Sequence, residues 1–252
     1  MPAANEPHLS IVIPAFNEAV RLPASLRKLA EFGEVLPFAH EVLVVVEKST
    51  DGTLELARET TAGQANFQII ANDVQRGKGF AVRTGMLRAQ GAHIFYMDAD
   101  LSVPLEDIAP FLDCFRDRPE IGVLVGNRQH ARSRIVKSQA LLRRKMGQAF
   151  NRVLQGFALS GIRDTQCGFK AFRKRAAREI FTRQRLDGFA FDVEVLLLAQ
   201  RLGCGIADLP VQWANSTESK VRILRDSLQM LRDAIRVRRL VERTMKEMPV
   251  GE

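Results

Sequence analysis

Two kinds of apolar run alternate along the first 125 residues. Leu9-Ser10-Ile11-Val12-Ile13 is a short run closed by Pro14. Val42 to Val46 is a continuous run rich in β-branched residues, the pattern of a strand buried on both faces. Phe67 to Ile70, Ile94 to Met97 and Ile121 to Val125 read as further strands. Between them the period lengthens. Val20, Leu22, Leu26, Leu29 and Phe32 fall near one helical face, with Asn17 as the expected cap. Ser49-Thr50-Asp51-Gly52 reads as a turn and helix start, and Gly77-Lys78-Gly79 opens a helix ending near Gly91. Pro104 suits the first turn of another. Repeated βα units of this length predict an α/β fold, a mostly parallel sheet with helices on both faces.

Beyond Gly126 the pattern changes. Ser138 to Leu159 predicts a long basic amphipathic helix, with Leu141, Leu142, Met146, Phe150, Val153 and Leu154 at helical spacing. Phe169 to Phe172 predicts a strand, Asp192 to Leu202 a helix, and Ile206 to Trp213 an extended stretch. Val221 to about Met245 predicts a second basic amphipathic helix, its apolar side formed by Leu224, Leu228, Leu231, Ile235 and Leu240. No Ser/Gly linker, repeat or low-complexity segment interrupts the chain. The organisation expected is a disordered N-terminus over 1–8 and one compact unit over 9–220. That unit has a nucleotide-type half (9–126) and an acceptor-type half (127–220), and a C-terminal helix follows over 221–252.

Composition narrows the setting. The chain has 252 residues, 46% hydrophobic and 26% charged, which suits a globular α/β protein. No run approaches the roughly 18 apolar residues of a membrane span, and the N-terminus does not read as a signal peptide. Three widely spaced cysteines, Cys114, Cys167 and Cys204, suit a reducing cytosol and suggest neither disulfides nor zinc. The net charge is +8, and its location matters more than its size. Asn127 to Arg152 holds eight Lys/Arg and no Asp/Glu, and the last 36 residues hold nine Lys/Arg against six Asp/Glu. Localised basic regions point to an anionic partner: a phosphorylated lipid, a membrane surface or nucleic acid. One Tyr and one Trp leave little for base stacking, and no nucleic-acid-binding motif is present.

Four strand ends carry polar clusters. Phe95-Tyr96-Met97-Asp98-Ala99-Asp100-Leu101-Ser102 brings two carboxylates to the end of a buried strand, where open α/β sheets bind ligands. Read as extended chain, Asp98 and Asp100 point to one side and converge on a hard cation, Mg²⁺ or Mn²⁺, whose open positions a substrate diphosphate completes. Ile13-Pro14-Ala15-Phe16-Asn17-Glu18 places Glu18 in the first turn of a helix, near its dipole or within reach of a ligand. Glu47 after the second strand could accept from a base or ribose. Arg76-Gly77-Lys78-Gly79 offers backbone N–H groups and a lysine to an anion, without the spacing of a P-loop. Together the four outline a nucleotide cleft.

The order of these clusters resembles family 2 glycosyltransferases. Asp164-Thr165-Gln166-Cys167-Gly168-Phe169-Lys170 and Phe191-Asp192-Val193-Glu194 are similar to the dolichyl-phosphate β-glucosyltransferase and polyprenyl-phosphate sugar transferase branch. The resemblance covers about residues 9 to 220. It implies a GT-A fold, a nucleotide-sugar donor with UDP-glucose the leading choice, a divalent metal and inversion at the anomeric carbon. Carried over, Pro14, Phe16, Glu18 and Glu47 would line the nucleoside pocket, and Asp98 and Asp100 would bind metal and diphosphate beside Ala99. Arg128 and Lys220 match basic positions near the diphosphate and acceptor phosphate, with Lys78 on the donor side. Two positions depart from the family pattern. The second strand ends Val46-Glu47-Lys48-Ser49 instead of Asp-Asp-Gly-Ser, and Glu218 replaces a glycine before Ser219-Lys220.

Two acceptor chemistries follow. A lipid phosphate arrives ionised and needs no strong base. A small-molecule or saccharide hydroxyl needs a carboxylate to take its proton, and Asp192 is the candidate, with Glu194 on another helix face. The structural alternative for Asp192 is the N-cap of its helix. The basic helices would then contact an anionic membrane at its cytoplasmic face, pack on the catalytic domain, or form a homodimer.

Overall fold

A computed structural model of the chain describes residues 6–133, 135–137, 162, 164–214 and 236–248. The strands are β1 (Leu9–Ala15), β2 (His40–Val46), β3 (Phe67–Ala71), β4 (His93–Met97), β5 (Ile121–Asn127), β6 (Ile135–Lys137), β7 (Phe169–Arg173), β8 (Gly205–Pro210) and β9 (Trp213–Ala214). The helices are α1 (Leu22–Glu34), α2 (Thr53–Thr60), α3 (Lys78–Arg88), α4 (Ile108–Asp117), α5 (Lys174–Arg183) and α6 (Phe191–Arg201), with residues 236–247 also helical. Seven strands form one sheet in the order β3-β2-β1-β4-β7-β5-β8, and β6 pairs with β9 separately. All neighbours in the large sheet run parallel except β7, which lies antiparallel between β4 and β5. The expected halves 9–126 and 127–220 therefore share a single sheet.

Strand alternation explains the continuous apolar runs. Val12, Leu43, Tyr96 and Phe172 face one layer, packed by α3, α5, α6 and the 236–247 helix. Ile11, Val44, Phe95 and Phe169 face the other, under α1 and α4. Both faces of the central strands β1, β2, β4, β5 and β7 are covered, so a polar side chain on them needs a partner. Each fully buried Phe or Leu contributes about 1.5–3 kcal/mol relative to exposure.

Several expectations need correction. Helix α1 begins at Leu22, not after Asn17. Asn17 takes a positive φ of 52°, its carboxamide accepts from Thr50 N, and Pro23 sets the first helical turn. Glu18 therefore lies before the helix, outside its first turn. Asp192 is not an N-cap, because Ala190 holds that position. The extended stretch Ile206 to Trp213 divides into β8 and β9, and α5 is a further helix beyond those the sequence pattern predicts. Residues 6–8, expected to be disordered, are tied down: His8 N donates to Ala39 O at 2.8 Å and Glu6 pairs with Lys174 at 3.0 Å. In the tail helix, Val237, Val241 and Thr244 are buried, and both valines belong to the main core, while Leu240 is only partly buried. Arg201 on α6 pairs with Glu242 at 3.2 Å. This part of the predicted basic helix thus packs on the domain. The predicted helix over Ser138–Leu159, residues 221–235 and Lys220 lie outside the described residues.

Candidate active site

The parallel register brings the ends of β1, β2, β3 and β4 to one sheet edge. Ala15 pairs with Val46 and Val46 with Ala71, while β1 and β4 pair through Val12 and Tyr96. Pro14 is buried within β1, and Phe16 is half-buried just past its end. Here the loops are stitched together by short polar side chains. Asn17 N donates to Ser49 Oγ at 3.0 Å, Glu18 N to Thr53 Oγ1 at 2.8 Å, and Ala19 N to Asp51 Oδ2 at 3.1 Å. The Glu18 carboxylate receives Arg21 on both oxygens, at 2.7 and 2.5 Å. Arg21 in turn reaches Asp100 Oδ2 at 3.4 Å.

Asp98-Ala99-Asp100 forms a turn instead of the expected extended segment: Leu101 N donates to Asp98 O at 3.0 Å, and Leu101 has a φ of 46°. The strand-alternation argument for their convergence therefore fails. Each instead meets a cation: the Lys78 ammonium is 2.6 Å from Asp98 Oδ1 and also feels the charges of Asp192 and Asp100, and Asp100 faces Arg21. Burial acts to lower the Lys78 pKa, but these carboxylates outweigh it and the net shift is upward. Asp100 Oδ1 accepts from Ser102 N at 3.1 Å and Ser102 Oγ at 2.5 Å, which fixes its rotamer. Ala99 between them is buried.

Among the described residues no three His, Cys, Asp or Glu side chains form a metal-binding group. The aspartate pair could still hold a hard divalent cation completed by ligand oxygens. Asp98 is 41% exposed, and one of its oxygens already binds a cationic group of the chain.

Glu47 is buried, and its carboxylate accepts from Arg76 N at 3.2 Å and Gly77 N at 3.1 and 2.9 Å. Burial raises its pKa, and the two backbone donors act against that rise. The glutamate thus fastens the turn that carries Lys78. On the far side of that turn Gly79 N donates to Asp187 O at 2.7 Å, and Arg76 pairs with the Asp187 carboxylate at 2.6 Å. Gly77 has a φ of 128°, and a Cβ there would meet Asp187 O at 2.6 Å. Glycine is required on both counts. The 185–186 backbone is held by Glu194, which accepts from Arg185 N at 2.8 Å and Leu186 N at 2.7 Å. Burial pushes the Glu194 carboxyl up to about 7.

Beneath Asp98 lies a buried polar network that sequence reasoning missed. Lys170, on β7 opposite Tyr96, is fully buried and pairs with Asp192 at 2.5 Å. It also donates to Cys167 O at 2.8 Å, and Tyr96 Oη donates to the same Asp192 oxygen. Burial first, then Asp192, raises the Tyr96 pKa well above the usual phenol value. A lysine inside the apolar run Phe169-Lys170-Ala171-Phe172 was the available signal, since a buried charge needs a partner.

Arg128 follows β5 and grips Asp164 through N, Nε and Nη2, at 3.0, 2.7 and 2.9 Å. Burial would raise the Asp164 pKa, but the Arg128 guanidinium outweighs it and lowers it. The same guanidinium lies 5.6 Å from the Trp213 ring centroid. A notch lined by Asp98, Ser102, Cys167, Gly168 and Trp213 opens between these groups. The structure thus sets Lys78 against Asp98, with the charges of Asp100 and Asp192 near enough to act on its ammonium.

The family model for glycosyl transferase family 2 matches residues 10–181. Among curated relatives, the dolichyl-phosphate beta-glucosyltransferase of Dictyostelium discoideum is 33% identical over 92% of this chain and 74% of its own length. The Drosophila melanogaster protein of the same name is 35% identical over 89% of this chain and 72% of its own. Among solved structures, glucosyl-3-phosphoglycerate synthase from Mycobacterium tuberculosis, in complex with Mn²⁺, UDP-glucose and phosphoglyceric acid, aligns with a TM-score of 0.70. It is 16% identical over 93% of this chain and 80% of that one. Mannosyl-3-phosphoglycerate synthase from Rubrobacter xylanophilus aligns with a TM-score of 0.67, at 19% identity, over 98% of this chain and 77% of that one. The strand-end clusters, the sheet order and these likenesses agree: the chain belongs to glycosyltransferase family 2 and is a glycosyltransferase of GT-A fold.

Proposed function

We propose that the protein transfers glucose, with inversion, from UDP-glucose to a polyprenyl or dolichyl phosphate in a metal-dependent reaction. The names of the curated relatives support the sugar and the acceptor. The Mn²⁺ and UDP-glucose in the M. tuberculosis structure support the metal and the donor. One observation carries the choice of a phosphate acceptor over a hydroxyl. Asp192, the base that a hydroxyl acceptor would need, is buried and committed to Lys170 and Tyr96. A phosphate monoester has no proton that must be removed before attack.

In this reading Pro14, Phe16, Glu18 and Glu47 form the nucleoside side of the cleft, with Glu47 acting through the Arg76–Gly77 turn. Asp98 and Asp100 are the metal ligands. A bound Mg²⁺ or Mn²⁺ supplies Lewis-acid stabilisation of the leaving diphosphate. Lys78 adds positive charge beside Ala99 on the donor side, at a helix N-terminus that favours anions. Arg128, oriented by Asp164, serves the diphosphate and the acceptor phosphate, and the same role is assigned to Lys220, which lies outside the described residues. Asp192 keeps Lys170 and Tyr96 in place beneath Asp98. Among the described residues no helix is long and apolar enough to cross a membrane. The lipid is reached by peripheral contact of the basic segments with an anionic cytoplasmic surface.

The test is a transfer assay with UDP- and GDP-sugars, offering a short polyprenyl phosphate or the corresponding alcohol, with and without EDTA. Glucosyl phosphate-lipid formed from UDP-glucose and lost with EDTA is the expected result. Transfer to the alcohol and not to the phosphate would overturn the reading.

A further inference from the structure

Each aspartate of the Asp98–Asp100 pair faces a cation of the chain itself. Lys78 Nζ lies 2.6 Å from Asp98 Oδ1, and Arg21 Nη1 lies 3.4 Å from Asp100 Oδ2. The two cations are mounted differently. Arg21 is doubly held by Glu18. Lys78 stands on a rigid root and has a flexible stem. Glu47 fixes Gly77 N on one side, and Asp187 O fixes Gly79 N on the other. The root is anchored on both sides, while four methylenes can swing the ammonium to another anion.

We infer that Lys78 is a built-in counter-ion that occupies the Asp98 carboxylate until a nucleoside diphosphate draws it away, so that divalent metal binds well only together with the diphosphate. This rests on the reading of Asp98 and Asp100 as metal ligands. Without diphosphate, a divalent cation must displace the ammonium from Asp98 Oδ1 or sit against it, and like charges this close repel strongly. With diphosphate, the ammonium and the α3 N-terminus both gain an anion, and Asp98 is released. The same contact therefore weakens metal binding in one state and permits it in the other. Metal and nucleotide affinities become reciprocally coupled through one side chain.

Free Mn²⁺ is measured by electron paramagnetic resonance, with and without UDP. Saturating UDP should tighten Mn²⁺ binding to the parent protein by about tenfold or more. Lys78→Met should bind Mn²⁺ about tenfold tighter than the parent when no nucleotide is present, and UDP, which still ligates the metal, should tighten it by a smaller factor than in the parent. Lys78→Arg, which keeps the charge, should retain weak metal-only binding. Lys78→Gln serves the same purpose if the methionine variant does not fold. Metal-only affinity that is unchanged or weaker in the neutral variants overturns the inference, because a lysine that only binds diphosphate leaves that constant alone. Asp98→Asn separates the two ideas. If it abolishes UDP-dependent Mn²⁺ binding while the Lys78 variants behave like the parent, the metal site stands and the counter-ion role fails. If the parent protein binds no Mn²⁺ even with UDP, the site reading itself fails, and the inference with it.

Discussion

Asp98 and Gly168 share one volume. A Cβ on residue 168 would overlap the Asp98 carboxylate, with Oδ2 its nearest atom. Antiparallel pairing of Met97 with Phe169 forces this closeness, because the next step along each chain sets residue 98 beside residue 168. The glycine in Asp-Thr-Gln-Cys-Gly-Phe-Lys is therefore a steric requirement of a carboxylate 70 positions away.

Gly168→Ala should fold and still lose activity. The methyl group displaces the Asp98 carboxylate, and misplacing a reacting group by about 1 Å costs on the order of 100-fold in rate. Glucosyl transfer and the thermal midpoint, measured side by side, check this. Turnover close to the parent's would mean that Asp98 tolerates the shift.

The Lys170–Asp192 pair predicts a stability effect. Lys170→Met leaves a buried carboxylate without its counter-ion, a loss of about 3–5 kcal/mol. Replacing both partners, with Asp192→Leu added, should recover much of that loss. Tyr96→Phe removes one hydrogen bond to the charged group and should cost about 1.5–3 kcal/mol. Urea unfolding of the four proteins measures all three values. Asp192→Asn, made alongside them, examines the role of Asp192. Weakening its pair with Lys170 costs stability in either role, but only a general base would also lose a limb of the pH–rate profile.

Glu47→Gln should loosen the turn under Lys78. The amide keeps one acceptor oxygen for two backbone donors that the carboxylate now satisfies. About 1–3 kcal/mol of stability should be lost, and UDP affinity should fall with it, as followed by titration calorimetry. A loss of stability with undiminished UDP binding would detach the turn from the nucleotide.

Glu194 makes stability depend on pH. Its folded-state value of about 7 exceeds that of an unfolded glutamate, so the folded protein holds this proton more tightly. The contribution is fully present below the unfolded value and is lost as pH rises through about 7. Between pH 5 and 7.5 the parent should lose about 2–3 kcal/mol more stability than Glu194→Gln. Parallel denaturation midpoints in the two proteins would contradict the assignment.

Local pattern made much of this legible. The runs at Val42–Val46 and Ile94–Met97, the turn at Ser49–Gly52 and the glycines around Lys78 each depend on neighbours within a few residues, and the structure keeps all of them. Asn17 and Glu18 depart from the local pattern because a hydrogen bond from Thr50 N, 33 positions away, takes the Asn17 carboxamide that would cap a helix.

The sequence by itself determined the βα order, the polar clusters at the strand ends and the family. These follow from period and chemistry along a short stretch of chain. Only the tertiary structure decided what those side chains do. Insertion of β7 antiparallel between β4 and β5 set Lys170 against Tyr96 and Gly168 against Asp98. Packing of the 185–188 segment on the Arg76–Gly79 turn gave that turn its second anchor beside Glu47. Such pairings join residues 22 to 111 positions apart. Their reason is physical: a buried charge takes whatever partner the sheet order delivers, and no local period encodes that order.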